Sequence, residues 1–253
     1  MNDYDVNILP TEVRYWVMIL GAIVGGYLLI KYFDRLSKEN RESSLKRLGV
    51  VIILVSCFLP IYTILNPDHL FSLHRSLPLH FCGLNFWLLG FNCFLKSRKL
   101  FVYTFFMGLI GGFYSVLTPL LTVGDAPFVL LHYMLVHTGL FVVPIVMIRV
   151  YGMRLNYFDW LRGYLFAAVC STIMVFINLF LNFYVENTGG AAANYMFVLI
   201  QPAVENPLLF KSLEWPFYIV PVHFGILLHM LVINMIYRKR EKTPIVLAPR
   251  LWQ

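Results

Sequence analysis

Seven apolar runs, each near the twenty residues that carry a helix across a hydrocarbon core of roughly 30 Å, leave this chain few ways to fold. They cover about 14–33, 46–65, 77–95, 100–121, 128–149, 160–184 and 216–237. Inside a bilayer every backbone N–H and C=O must find a partner within the protein, and helices do this segment by segment. No stretch between the runs is long or polar enough to form a soluble domain of its own, in a chain that is 59% hydrophobic and 13% charged. The expectation is a single integral membrane domain over 1–253: all-α, a polytopic bundle of seven transmembrane helices, placed in the cell membrane (the cytoplasmic membrane in a bacterium).

Charge gives the bundle a direction. The connections 31–47, 96–99, 149–162 and 238–250 hold seventeen of the twenty Lys and Arg residues, and the other side holds only Arg14, Arg75 and Lys211. Basic loops stay in the cytoplasm, which predicts an outside N-terminus and an inside C-terminus. Acidic Asp3, Asp5 and Glu12 precede the first run and Lys31 and Arg35 follow it, the pattern of an anchor rather than a cleaved leader. The net charge of +7 is thereby accounted for by topology, with no need for nucleic acid. Small residues at four-residue spacing, Gly21 with Gly25 and Gly108 with Gly112, read as helix contacts, with Gly111 and Ser115 beside them. The connection 185–215 is partly apolar, broken by Gly189, Gly190 and Pro202, and has the makings of a lid that dips into the bundle.

The polar residues inside the runs are not spread evenly. At 1.5 Å per residue, Cys82 and Asn85 lie about 8 and 12 Å below the outer end of the third run, and His132 and His137 about 6 and 14 Å into the fifth. Asn178 and Asn182 fall in the last turns of the sixth, and the seventh carries His223 and His229. Polar groups at membrane depth are costly unless they face partners or a wet cavity. Their collection in the outer half predicts a shared cavity there. His69 and His74, in an outer loop, read as solvated.

Among the four cysteines, Cys57, Cys93 and Cys170 read as small apolar side chains, and no CxxC pair suggests a disulfide or thiolate metal site. Cys82 differs because it sits near a helix N-terminus, whose positive end favours a thiolate. His80 is a poor base for it, since two residues along a helix means about 200° of rotation. His137 has a compatible depth, and Asn85, three residues on, shares the face of Cys82 and is placed to orient a base or donate to an oxyanion. A Cys–His pair with an amide helper is a nucleophile arrangement for acyl transfer.

The ordered segments "LPLHFCGLNFWLLG", "FFMGLIGGFYSVLTP", "LVHTGL" and "NTGGAAANYMFVLIQP" resemble the YwaF-type, TMEM164-like integral membrane proteins over roughly residues 45–237. That family looks related to a eukaryotic transmembrane family containing a cysteine-dependent acyltransferase, which moves fatty acyl chains onto ether lysophospholipids. The resemblance implies Cys82 as the acyl-accepting nucleophile and His137 as its base. His80, Asn194 and Tyr195 fall at recurring positions. Thr138 stands between His137 and Gly139 where some relatives have His and Gly adjacent, which keeps His132 in view as the alternative base. Membrane phospholipids or lysophospholipids are the implied partners. The mechanism requires no metal and no diffusible cofactor, and protein partners are not legible.

Two other readings use the same residues. A seven-helix zinc hydrolase would draw ligands from His80, His132, His137, His223 and His229, but no Asp or Glu lies deep in a run to serve it. A receptor or transporter would use the polar cavity to hold a ligand without reaction; the seventh run has no Lys for a retinal Schiff base, and no repeated halves are evident.

Overall fold

Each apolar run becomes a helix. The computed structural model describes residues 5–66, 68, 71–187, 190–202, 210 and 212–240. Asp3, His69, Gly189, Lys211 and everything from residue 241 onward lie outside the described residues. The helices are α1 (Val13–Arg35), α2 (Lys38–Leu65), α3 (Phe81–Leu95), α4 (Arg98–Leu117), α5 (Pro127–Tyr151), α6 (Asp159–Tyr184) and α7 (Ile219–Arg240). Six of them are long and apolar enough to cross a bilayer, and α3 is a shorter apolar helix.

Two boundaries differ from the sequence expectation, each for a local reason. The fourth run was expected to continue to residue 121, but α4 stops at Leu117 because Pro119 cannot continue the hydrogen-bond ladder. Leu120–Leu121 instead form a short strand, β2, antiparallel to β1 (Val6–Asn7). The third run was expected to be helical from about Leu77, with Pro78 in its first turn. The helix starts only at Phe81, with His80 as its N-cap residue. Proline disfavours helical conformation at the residue before it, and the Leu77 N–H is taken by the Tyr195 hydroxyl at 3.0 Å. At 15 residues α3 rises about 22 Å, short of a full hydrocarbon core.

The two ends of the bundle are held differently. At the basic end Arg149 pairs with Asp34, and Lys96 and Lys46 both reach Glu42, at 2.6 and 2.9 Å. Arg98 pairs there with the fully buried Asp159, which Arg162 joins at 3.3 Å. At the opposite end Arg14 bridges Glu12, at 2.6 Å, and Asp125, next to the β1–β2 pair. The Leu9 N–H and then Arg14 hold the Glu12 carboxyl below its usual range, and Arg14 does the same for Asp125.

Helices α4 and α5 form the centre: α4 packs on α3, α5, α6 and α7, and α5 on α1, α2, α3 and α4. Their approach is close because Gly108 faces the Leu140 carbonyl; a Cβ there would stand 2.6 Å from that oxygen. Gly139 similarly receives the Phe86 ring. On α1 the expected Gly21–Gly25 contact is only half present. Gly21 meets Met134, but Gly25 faces open space, and it is Gly26 that packs on Val142. The outward faces carry Leu20, Ile23, Leu54, Phe176, Phe224 and Ile236, all exposed. An apolar rim around a packed interior is the surface that lipid tails require.

The expected lid is visible in part, as an inserted plug. Ala193, Tyr195, Met196 and Val198 are buried around a single 3-10 turn, Tyr195–Phe197. Asn178 clamps Tyr195 from both sides, accepting from its N–H at 2.8 Å and donating to its C=O at 2.9 Å. Asn182 does the same for Ala193, at 2.6 and 3.0 Å. Asn194 closes the turn on Leu199 and Ile200. Met196 and Phe197 are held at φ +59° and +53°. Left-handed backbone costs a non-glycine residue about 1–2 kcal/mol, so these clamps hold a segment that would relax without them. His74, expected in solvent, is buried beneath the plug, and its Nε2–H donates to the Leu181 carbonyl at 3.0 Å.

Candidate functional site

A cavity of about 370 Å³ opens at the end of the bundle away from the basic loops. Its floor and walls come from α2, α3, α4 and α5, and its mouth from Arg75–Pro78, Leu120–Val123 and the plug residues Met196, Phe197 and Pro202. The late start of α3 makes the space, because the chain before Phe81 runs as turns rather than filling it with another helical turn.

Cys82 is the second residue of α3 and lines this cavity. No side chain caps that helix, so its first-turn amides keep the partial positive charge of a helix N-terminus. The sulfur lies 3.4 Å from the Ser115 hydroxyl of α4. It rests against Gly111, where a Cβ would come within 3.5 Å of it. Ser115 is tied in turn to α5, its carbonyl accepting from the Tyr133 hydroxyl at 2.7 Å.

His137 lines the same cavity one turn along from Tyr133. Its Nδ1 is 2.7 Å from the Tyr133 carbonyl. A carbonyl can only accept, so Nδ1 carries the proton and, in the neutral ring, Nε2 carries the lone pair. The Tyr133 ring packs on the imidazole with centroids 3.9 Å apart. The Nδ1–H of His137 is therefore committed to its own helix. Cys82 makes its described hydrogen bond with Ser115, not with His137. His132 also lines the cavity, but its Nε2–H is spent on the Val55 carbonyl at 3.1 Å and its ring lies against Phe58.

His80 completes the group. The rotation argument that set it apart from Cys82 assumed a helix through both residues, whereas His80 precedes the helix and lines the same cavity. Its Nδ1 accepts from the Met196 amide at 3.3 Å, and its ring packs on Tyr195 and Phe197.

The remaining expected residues stand elsewhere. Asn85 is fully buried against α4, donating to the Thr104 carbonyl at 3.4 Å, and does not line the cavity. Asn178, Asn182, Asn194 and Tyr195 build the plug; the Tyr195 hydroxyl donates to the Leu73 carbonyl at 2.8 Å. His223 sits between Tyr164 and Ser171, at 3.4 and 3.3 Å, and His229 accepts from the Tyr114 hydroxyl at 3.0 Å. Among the described residues no three His, Cys, Asp or Glu side chains are grouped to hold a metal.

Sequence reasoning missed Ser115 and Tyr133. Ser115 was visible only as a small residue in a glycine-rich stretch. Tyr133 had one usable signal, its position four residues before His137, where its carbonyl faces the side chain of the next turn.

A family model described as the TMEM164 family matches residues 10–235. The chain belongs to the TMEM164 family. That match takes in every residue of the cavity and all seven helices apart from the basic end of α7, so this TMEM164-family chain is a multi-pass membrane protein throughout its helical bundle. Neither a curated protein nor a solved structure matches the chain.

Proposed function

We propose that this protein is an intramembrane lipid acyltransferase or transacylase that works through an acyl-cysteine on Cys82. In this reading α3 and the turns before it form a seventh crossing. The N-terminus lies outside and the C-terminus in the cytoplasm, because the basic end stays on the cytoplasmic side of the cell membrane. The cavity then faces the outer leaflet, and a phospholipid enters it with its tails still among the helices.

The reaction runs in two halves. Nε2 of His137 takes the thiol proton of Cys82, and the positive end of α3 stabilises the charge that develops on sulfur. The sulfur adds to the carbonyl carbon of the lipid ester. The C–O bond to glycerol breaks, and the leaving oxygen takes the proton from His137, giving a lysophospholipid and a thioester on Cys82. In the second half the hydroxyl of a lysophospholipid gives its proton to Nε2 and its oxygen adds to the thioester carbon. The C–S bond breaks, and the sulfur recovers the proton. Water in place of the second lipid would make the same site a lipase.

One observation carries the reading: a thiol at an open helix N-terminus shares one apolar cavity with an imidazole whose Nδ1 proton is already committed to a carbonyl. Catalytic hydrogen bonds commonly tighten only once substrate is in place, so the thiol's present contact with Ser115 is compatible with transfer to His137 during the reaction. The test is turnover in proteoliposomes supplied with labelled phospholipid and lysophospholipid. Wild type is expected to transfer label, and Cys82→Ser and His137→Ala are expected to lose transfer. Transfer that survives Cys82→Ser would overturn the proposal.

A further inference from the structure

We propose that His80 supplies the oxyanion donor of this site and that the plug exists in part to hold it in that state; the inference rests on the acyl-cysteine reading above. Addition of the Cys82 sulfur turns the ester carbonyl oxygen into an oxyanion, which needs N–H donors aimed at it. Asn85, the expected donor, is buried against α4 outside the cavity. His80 is inside it, at the N-cap of the helix whose second residue is the nucleophile.

The plug decides which nitrogen of His80 carries the proton. Met196 presents its backbone N–H to Nδ1 at 3.3 Å. An N–H can only donate, so Nδ1 is the acceptor and the neutral ring must carry its hydrogen on Nε2. This is the opposite tautomer to His137, where Nδ1 donates and Nε2 is left as acceptor. Two imidazoles in one cavity are thus set to complementary roles, one to take a proton and one to offer a hydrogen bond.

The geometry of the plug fits this purpose. Met196, whose amide meets His80, and Phe197 are both held in left-handed conformation, in a turn fixed by Asn178, Asn182 and Asn194. Backbone strain of this kind persists where surrounding structure over-determines it, and it gathers at functional sites. The rings of Tyr195 and Phe197 confine the imidazole from two sides, at centroid distances of 5.2 and 5.0 Å. His80 takes no proton in the step: its Nε2–H donates to the oxyanion as the C–S bond forms and lets go when the C–O bond breaks. The uncapped first-turn amides of α3 are its natural partners as donors.

Two reactions of the same thiol separate this role from that of a base. Alkylation of Cys82 by iodoacetamide needs a thiolate but creates no oxyanion. Acylation from lipid vesicles of mixed phosphatidylcholine, phosphatidylethanolamine and phosphatidylglycerol needs both. The rates of both are followed by intact-protein mass spectrometry on the full chain in proteoliposomes. His80→Asn keeps an acceptor for the Met196 amide, and its shorter side chain leaves no N–H at the position of Nε2. It is expected to slow acylation by about 10²–10³-fold, the usual loss for one oxyanion donor, and to leave alkylation within about twofold of wild type. His80→Gln returns an N–H near the position of Nε2 and is expected to recover part of the acylation rate. His137→Ala is expected to slow both reactions. Acylation of His80→Asn at the wild-type rate, or parallel slowing of both reactions, would overturn the role assigned to His80 while leaving the acyl-cysteine in place. Absence of any acyl adduct on wild type would overturn the acyl-cysteine and this inference together.

Discussion

The contact between α4 and α5 sets the distance between Ser115, which meets the Cys82 thiol, and Tyr133, which holds the His137 ring, and it turns on Gly108. A Cβ at that position would lie 2.6 Å from the Leu140 carbonyl oxygen, and ordinary contact begins near 3.4 Å. The obstacle is backbone, so no rotamer change relieves it; α4 and α5 must move apart by about 0.8 Å. Overpacking of this kind costs about 1–3 kcal/mol. For a chain of this size each kcal/mol shifts Tm by about 2–4 °C, so Gly108→Ala is expected to melt about 2–12 °C below wild type in detergent micelles. Gly25→Ala is the control, since its Cβ meets nothing within 4 Å; alanine there is expected to leave Tm unchanged or slightly raised, through its better helix propensity. The assay is thermal unfolding of both variants by tryptophan fluorescence under one condition. Equal Tm for Gly108→Ala and Gly25→Ala would refute the reasoning, because the two differ only in what the new methyl group meets.

Asn178→Ala leaves the buried N–H and C=O of Tyr195 without partners, at about 1–3 kcal/mol each; faster hydrogen exchange across 193–200 is expected, and exchange at the wild-type rate would contradict the clamp. The corner built from Glu12, Arg14 and Asp125 carries a pH dependence of definite sign. Both carboxyls are held below their ordinary values, so their contribution is fully present above the ordinary carboxylate range, near 4–4.5, and declines as pH falls through the lower folded values. The Ile8 amide, bonded to the Pro119 carbonyl at 3.1 Å, is therefore expected to hold its intrinsic-rate-corrected protection from pH 7 to about 5 and to lose some of it on further acidification. Protection that fell between pH 7 and 6 would point to another group.

The helices were legible because lipid as solvent imposes length and apolarity on every span, and 46–65, 128–149 and 160–184 each fall inside a helix of the fold. Depth placed Cys82, His132 and His137 on a common level, and all three line one cavity. What failed was local. Counting residues from Leu77 assumed a helix where the Tyr195 hydroxyl, 118 positions away, holds the chain in a turn. No periodicity reports a partner that distant. The same omission hid His80 from Cys82. Asn85 does share the face of Cys82, but one turn deeper that face is closed by α4, where its side chain is buried. Asn178 and Asn182 looked alike as polar residues four apart, and the sequence had no way to say that their partners are the backbone of an inserted loop rather than a ligand or a neighbouring helix. Gly25 and Gly26 differ by one position, but the helix rotates about 100° between them, enough to turn one to lipid and the other to Val142.

The most direct measurement is the intact mass of the protein after incubation with phospholipid vesicles. Wild type is predicted to gain the mass of a fatty acyl group, removable by hydroxylamine as a thioester would be, and Cys82→Ala to gain none. A wild-type protein that gains no acyl mass, or an adduct that persists in Cys82→Ala, would contradict the claim that this cavity activates a sulfur.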